Sequence, residues 1–371
     1  MNNAHIISIG SLASFSRGLT YSRSDEVDYS SNVVLRSNNI DLATNTLNFD
    51  ELKYISDAIN IPEDKKLQRN SIFMCMSNGS KQHLGKVAFI DRDYPYAFGG
   101  FMGLIKPKED IIIPKLLYYY FCSSKFKGFL SSIGNGANIN NIKFVDIAKD
   151  YISVPEKTTQ QSIIEELDKI SELIRLKKEQ LKDYDNLAQS IFYEMFGDPV
   201  VNEKGWEVKK FADLYKLKSG DSLSAKNFVE GEIPVYGGNG ISGYHNDFNM
   251  DGDFIIIGRV GVYCGNVREV HGKFWLTDNA FQLFYNREIQ YPCFIHYLLE
   301  ILDLHQYANA AAQPVISNLT LKDVEIIIPP LPLQQLFAQR IELIERQKAE
   351  IQSTIADLET LLASRMQYWF D

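Results

Sequence analysis

Cysteine is scarce and scattered. Cys75, Cys122, Cys264 and Cys293 form no Cys-x-x-Cys pair and have no histidines at ligand spacing, which argues against a zinc site and against a disulfide framework. No run approaches the ~18 uninterrupted apolar residues of a membrane-spanning helix. Met1–Gly10 lacks the basic-then-apolar order of an export signal, so a cytoplasmic protein is expected. Catalytic motifs are missing too. There is no Asn-Pro-Pro-Tyr or Asp-Pro-Pro-Tyr methyltransferase signature, no phosphate-binding lysine loop and no Pro-Asp followed by Glu-x-Lys of a nuclease. His83, His245, His271 and His296 have no nucleophile or paired carboxylate nearby, so a surface or packing role is expected and no chemistry is assigned to the chain. Basic charge is in short supply as well. The net charge is -9, against the basic footprint usual for nucleic-acid binders. By segment it is about +2 for residues 1–154, about -4 for the helical stretch that follows and about -5 for residues 205–329, so any anion-binding surface must be a local patch.

What is present is a repeat. A chain of 371 residues exceeds one ordinary core and predicts two domains, and the sequence supplies two copies of one pattern. Residues 139–147 and 316–324 each lead into an apolar strand closed by proline, Val154-Pro155 and Ile328-Pro329. Five residues past each proline stands a Gln-Gln pair, Gln160-Gln161 and Gln334-Gln335. Each pair opens a long helical pattern ending in aromatics, Phe192, Tyr193 and Phe196 or Tyr368, Trp369 and Phe370. Upstream, Leu12 and Gly18 match Leu214 and Gly220, and the strand from Phe73 matches Phe254–Ile257. Between those anchors, residues 18–73 find no counterpart in 220–254, so the copies share a scaffold and differ where surface loops are expected.

In the first long helix, apolar residues recur at Ile163, Leu167, Ile170, Ile174, Leu181, Tyr184, Ala188, Ile191 and Met195, with a gap at Lys177. The second repeats the seam at Phe337, Ile341, Ile344, Ile351, Ile355, Leu358, Leu362 and Trp369, interrupted by Lys348 and Arg365. Steps of three and four make a heptad stripe. Neither interior holds proline or glycine, so each helix should run ~37 residues, or ~55 Å. A helix that long leaves its stripe wet unless the other copy covers it, which predicts an antiparallel intramolecular pair. The rest reads as short strands between Gly, Asn and Asp turns with a helix or two, for an α+β class. The boundaries drawn from sequence are 1–154 for the first globular domain, 155–204 for the central helix, 205–329 for the second domain and 330–371 for the last helix.

Glycines, aromatics and amides crowd residues 233–246, where Tyr236, Asn239, Ser242 and Tyr244 stand. Asn and Gln pair bidentately with adenine and Arg with guanine, while glycine lets backbone approach phosphate. A tight β-turn without a ligand explains the same residues. Ser219, Arg259 and Asn266 are likewise either strand-end residues or contacts to bases and phosphates. The first copy offers Arg17, Arg36, Asn38, Asn39, Ser77, Asn78 and Lys81 in comparable settings. Gly99-Gly100 and Gly134-Asn135-Gly136 read as turns, because no strand-loop-helix context of a nucleotide site surrounds them.

Taken together, residues 233–246, Phe254–Asn266, the segment Trp275-Leu276-Thr277-Asp278-Asn279-Ala280-Phe281 and residues 327–335, with Ser16–Tyr21 and Val34–Ile40 in the first copy, resemble the specificity subunit of type I restriction-modification enzymes over nearly the whole chain. The resemblance implies two target-recognition domains in pseudo-twofold repeat, joined by two long antiparallel coiled-coil helices, each domain reading one half of a split DNA target. It implies two methyltransferase subunits as partners, with restriction subunits added, and it places S-adenosylmethionine, ATP and magnesium in those partners, with no cofactor in this chain. The alternative is a stand-alone DNA-binding regulator or remnant built from the same domains. The start departs from the pattern, since residues 1–9 hold no tryptophan to match Trp206.

Overall fold

The computed structural model describes residues 4–80, 83–133, 141–309 and 313–371. Its contacts group into two compact units, Met1–Lys177 with Thr354–Asp371 and Lys178–Ser353. Lys81 and the turn at Gly134–Gly136 lie outside the described residues.

In the first unit β1 (His5–Ser8) passes through one helical turn, α1 (Ile9–Leu12), into β2 (Ala13–Arg17). β3 (Glu26–Val27), β4 (Asn32–Leu35) and β5 (Lys53–Ile55) follow, then β6 (Ser71–Cys75), β7 (Val87–Ile90), β8 (Ala97–Phe98) and β9 (Met102–Pro107). Helices α2 (Pro114–Cys122), α3 (Ser124–Ile133) and α4 (Phe144–Ile147) lead to β10 (Tyr151–Val154) and the long α5 (Lys157–Phe196). The strands order as β2-β9-β6-β7 and β3-β5-β4-β8, and β1 pairs with β10. The second unit, which α5 enters at Lys178, continues with β11 (Glu207–Lys210), α6 (Phe211–Leu214), β12 (Lys216–Ser219), β13 (Ile233–Gly237), β14 (Gly240–His245), β15 (Met250–Gly258), β16 (Val267–Leu276) and β17 (Ala280–Phe284). It then runs through α7 (Pro292–Ile301), α8 (Asn318–Leu321) and β18 (Glu325–Ile328) into α9 (Leu331–Phe370). Here one six-stranded sheet, β12-β17-β15-β16-β13-β14, stands beside the β11-β18 pair. The architecture is α+β with two long helices, as the sequence implies.

Backbone pairing makes the repeat deeper than side chains do. β4 lies parallel to β8 through Leu35 and Phe98, and β13 parallel to β16 through Tyr236 and Leu276. The segment for which the sequence finds no counterpart therefore contains one. β16 does the work of both β7 and β8, which is why two sheets in one unit become one in the other. The strand match also needs correction. Cys75 pairs with the first residue of β9 and Gly258 with the first residue of β17, so Phe73 corresponds to Ile256, two residues past Phe254. An even shift keeps every side chain on its face, so the apolar pattern looks right at either setting.

The repeated glutamines close each unit in the same way. Gln160 and Gln334 are buried. Gln160 Oε1 accepts from Ile113 N–H at 2.8 Å, and its amide donates to Pro155 O at 2.8 Å and Ile111 O at 3.2 Å. Gln334 repeats the set with Tyr291 N–H at 2.8 Å, Pro329 O at 2.7 Å and Ile289 O at 3.0 Å. The accepted N–H belongs in both units to the residue before a helix that opens with proline.

Both long helices span 40 residues and pair antiparallel within each unit. In the first, Arg365 and Trp369 of α9 bond the Glu166 carboxylate of α5, Trp369 Nε1 at 3.0 Å. The Arg365 bond holds that carboxyl below its usual range. In the second, Lys348 reaches Asp185 and its own-helix Glu345, both at 2.8 Å. The two seam interruptions of α9 are thus ion-paired across the helices, as a half-buried charge requires. The aromatic end differs from the sequence reading by one position. Phe192, not Ile191, is fully buried, because its ring stacks on Phe294 at 5.8 Å and meets Phe337 at 5.7 Å. Among the described residues no helix is long and apolar enough to cross a membrane.

Replacing Gln334 by leucine removes the partner of three backbone groups, one buried and two part-buried, and should lower the unfolding free energy by about 2–4 kcal/mol. The reading is a lower urea midpoint at unchanged slope. Exposed Gln335 replaced by alanine should stay within about 0.5 kcal/mol of the parent.

Candidate nucleic-acid interface

In the second unit the ends of β12 and β15, the start of β17 and the β13–β14 turn meet at one edge. Gly220 makes the approach possible, since a Cβ there would lie 2.1 Å from Leu276 O. Gly238 sits against Val260 and Asn279 carbonyls at distances that admit no side chain, 2.9 and 3.1 Å from the Cβ position. This brings the exposed tip Asn239 beside the loop that carries Arg259 and Asn266. Arg259 Nη1 donates to Ser219 Oγ at 3.3 Å and Asp278 O at 3.2 Å, with its guanidinium carbon 5.6 Å from the centre of the Phe281 ring. Ser219, Asn239 and Arg259 therefore form one patch, while Asn266, on the adjoining loop, lines a cavity with Tyr236. Ser242 and Tyr244 stand apart on β14, the sheet's outer strand, where Ser242 Oγ bonds Val235 O at 3.1 Å and Tyr244 is exposed. Tyr236 packs edge-on against Phe274 at 5.5 Å and lines a cavity with Arg268. The quoted Trp275–Phe281 segment is mainly scaffold. Thr277 N–H donates to Tyr236 O, and Trp275 Nε1 to Asp221 O.

The first unit builds a comparable edge from other residues. Gly18 approaches Gly99 O as Gly220 approaches Leu276 O, again 2.1 Å from the Cβ position. Arg17, the last residue of β2, donates to Asn141 Oδ1 at 3.2 Å, and Asn141 bridges Ser77. Arg36 and Asn38 share the Glu51 carboxylate at 3.1 and 2.9 Å. That ion pair is exposed, so it costs less than about 1 kcal/mol to release, and among the described residues the buried Arg36 Nε has no acceptor. Asn78 donates to Ser37 Oγ at 3.0 Å, which ties its loop to the same edge. Asn39 is different. It is buried, accepting from Arg36 N–H and donating to Asn48 O and Glu51 O at 3.0 and 2.8 Å, so its amide is spent on folding the loop.

A cation thus stands at matching edges but comes from different strands. Met76 and Arg259 occupy the same backbone position, since Met76 N–H donates to Phe101 O and its carbonyl accepts from Ile142, while Arg259 does the same with Asn279 and Ile316. Arg17 and Ser219 correspond as the residues before Gly18 and Gly220. In one unit the guanidinium is on β2, in the other it follows β15. Arg268 is the residue sequence reasoning missed, because it sits in a strand without turn signals; it lies against Gly240 with its guanidinium 3.4 Å from the Cβ position.

The sequence profile of the type I restriction modification DNA specificity domain matches residues 1–183 and 203–360. The chain belongs to this family. Among similar proteins, the specificity subunit of the type I restriction enzyme EcoprrI from Escherichia coli is 28% identical over 232 residues, 59% of this chain and 57% of that one. The EcoKI specificity subunit from Escherichia coli K12 is 29% identical over 166 residues, 44% of this chain and 35% of that one. The chain spans less than two thirds of these relatives' lengths. In fold it is similar to the S subunit of a type I system from M. genitalium, with a TM-score of 0.56 at 16% identity over 100% of this chain and 96% of that one. A chain from a structure of type I restriction-modification complex assembly and conformational transition gives a TM-score of 0.58 at 15% identity, covering 99% and 97%.

For a specificity domain the two kinds of asparagine should separate by experiment. Asn39→Ala is expected to lose about 1–3 kcal/mol of stability from unsatisfied backbone groups, and Asn239→Ala to keep stability within about 0.5 kcal/mol. Arg259→Ala should cost about 1–3 kcal/mol of DNA binding and relax discrimination at a base position. Chemical denaturation and binding to a panel of single-base variants measure the two.

Proposed function

We propose that the chain reads a bipartite, asymmetric duplex target, one half-site per unit, and scaffolds two methyltransferase subunits to which restriction subunits add. It carries no catalysis, and S-adenosylmethionine, ATP and magnesium serve the partners. One observation supports this above others: both units present a cation-and-amide edge at the same place on one scaffold, with loops of unlike length and content. A shared frame gives two readers a common way to approach the groove, and unlike loops give them different base edges to read. The acidity, -9 overall, fits a subunit whose partners supply much of the positive surface around the duplex.

Methylation mapping by long-read sequencing, in cells expressing the chain with its methyltransferase, should return two unlike specified half-sites separated by unspecified bases. A continuous or palindromic motif would sink the bipartite reading.

The helices are proposed to set the spacer. One heptad added to each, after Leu181 and after Ile355, keeps the seam in register and lengthens each helix by ~10.5 Å, or ~3 base pairs. The half-sites should stay the same while the preferred spacer grows or affinity falls, because the added rise also turns one half-site about a third of the way round the duplex. An unchanged spacer read at undiminished affinity contradicts the idea.

A further inference from the structure

The units differ on one face of their sheets, and hydrogen bonds fix which positions to compare. Cys75 N–H donates to Lys86 O and Gly258 N–H to Asn266 O, both at 2.9 Å, so Lys86 corresponds to Asn266 and, two residues on, Ala88 to Arg268. Leu35 corresponds to Tyr236 through their parallel partners. Tyr118 and His296 are each the fifth residue of a helix that opens with proline.

In the first unit these positions hold a segment of the same chain, the stretch between β4 and β5. Lys86 Nζ donates to Ile40 O at 2.8 Å and the Tyr118 hydroxyl to Asn45 O at 3.1 Å. Ile40 and Leu47 pack into the cluster that contains Leu35 and Ala88. In the second unit β13 and β14 are joined by a tight turn, and among the described residues no such segment reaches this face. Tyr236, Asn266, Arg268 and His296 line a cavity of about 520 Å³. A neighbouring cavity of about 610 Å³ shares Glu269, His296 and Glu300 with it and extends to Asp185 and Glu345, whose cationic neighbour Lys348 is already paired with both. Together the adjoining cavities carry the carboxylates of Asp185, Glu269, Glu300, Asp303 and Glu345 against the cations of Arg268 and Lys348, so the cleft they form is acidic.

We propose that this cleft docks a lysine- or arginine-bearing polypeptide segment of the methyltransferase partner, in the place that the first unit fills with residues 36–52 of its own chain. The proposal rests on the function given above. Phosphate is disfavoured among these carboxylates, whereas a polypeptide brings both what the cleft lacks and what the matching face already uses. Its cations meet Glu269 and Glu300, and its carbonyls accept from Asn266 as the Ile40 carbonyl accepts from Lys86.

The test titrates purified methyltransferase subunit into the full chain without DNA. Glu269→Lys should weaken binding about tenfold or more, while Arg268→Glu, which adds negative charge to the same cleft, should keep or raise affinity. A benzoylphenylalanine at position 269 should crosslink to a basic segment of the methyltransferase. Unchanged affinity for Glu269→Lys, equal weakening by both charge variants, or crosslinks to DNA alone overturn the proposal. Loss of base discrimination with intact methyltransferase affinity assigns the cleft to DNA and overturns it too. If the unaltered chain binds no methyltransferase subunit, the reading as a specificity subunit falls as well, and that outcome is distinct from the others.

Discussion

A helix of 40 residues cannot hide its apolar stripe in a unit of this size, and that constraint organises the molecule. Each helix serves its own unit with its first turns and the other unit's core with its last. The first unit's core holds Ile163 and Leu167 from the start of α5 and Phe370 from the end of α9, while the second holds Phe337 and Ile341 from the start of α9 and Phe192 and Phe196 from the end of α5. Neither core closes with only one helix present. The buried glutamines make the same exchange possible, because they lock the first turn of each helix to the loop before α2 or α7 and so fix the angle at which the helix leaves. Two charged positions in α9, Lys348 and Arg365, are kept in the seam by carboxylates on α5, which disfavours slipped pairings in which a charge would be buried alone.

Much of this was legible in the sequence because it depends on side chains in a period. The prolines, the glutamines five residues on and the heptad stripe all survive in both copies. The equivalence of β4 and β13 was not legible, since it rests on backbone pairing that leaves no residue pattern: Leu35 sits where Tyr236 sits. The strand offset at Phe73 failed for a related reason, as a two-residue slip preserves alternation. At the two edges the sequence could name turn-like cations and amides but could not separate buried loop-builders from exposed side chains. Asn39 and Asn239 look alike on paper, because asparagine folds loops with the same amide that reads adenine. Burial alone tells them apart. Arg268 escaped because nothing in a ten-residue strand marks which guanidinium faces a cavity.

The two edges also show how a fixed frame admits different side chains. Met76 and Arg259 share every backbone hydrogen bond, yet one ends in a thioether and the other in a guanidinium, and the first unit recovers a cation at that edge from Arg17 on a neighbouring strand. Because the frame is held by main-chain groups and by glycines that permit close approach, side chains at the rim are free to change without cost to the fold. Loops between β4 and β5, or their replacement by the β13–β14 turn, can vary for the same reason. An edge built this way can change by substitution with little effect on stability, because the residues that would unfold the chain, the glutamines and the seam, lie buried away from it.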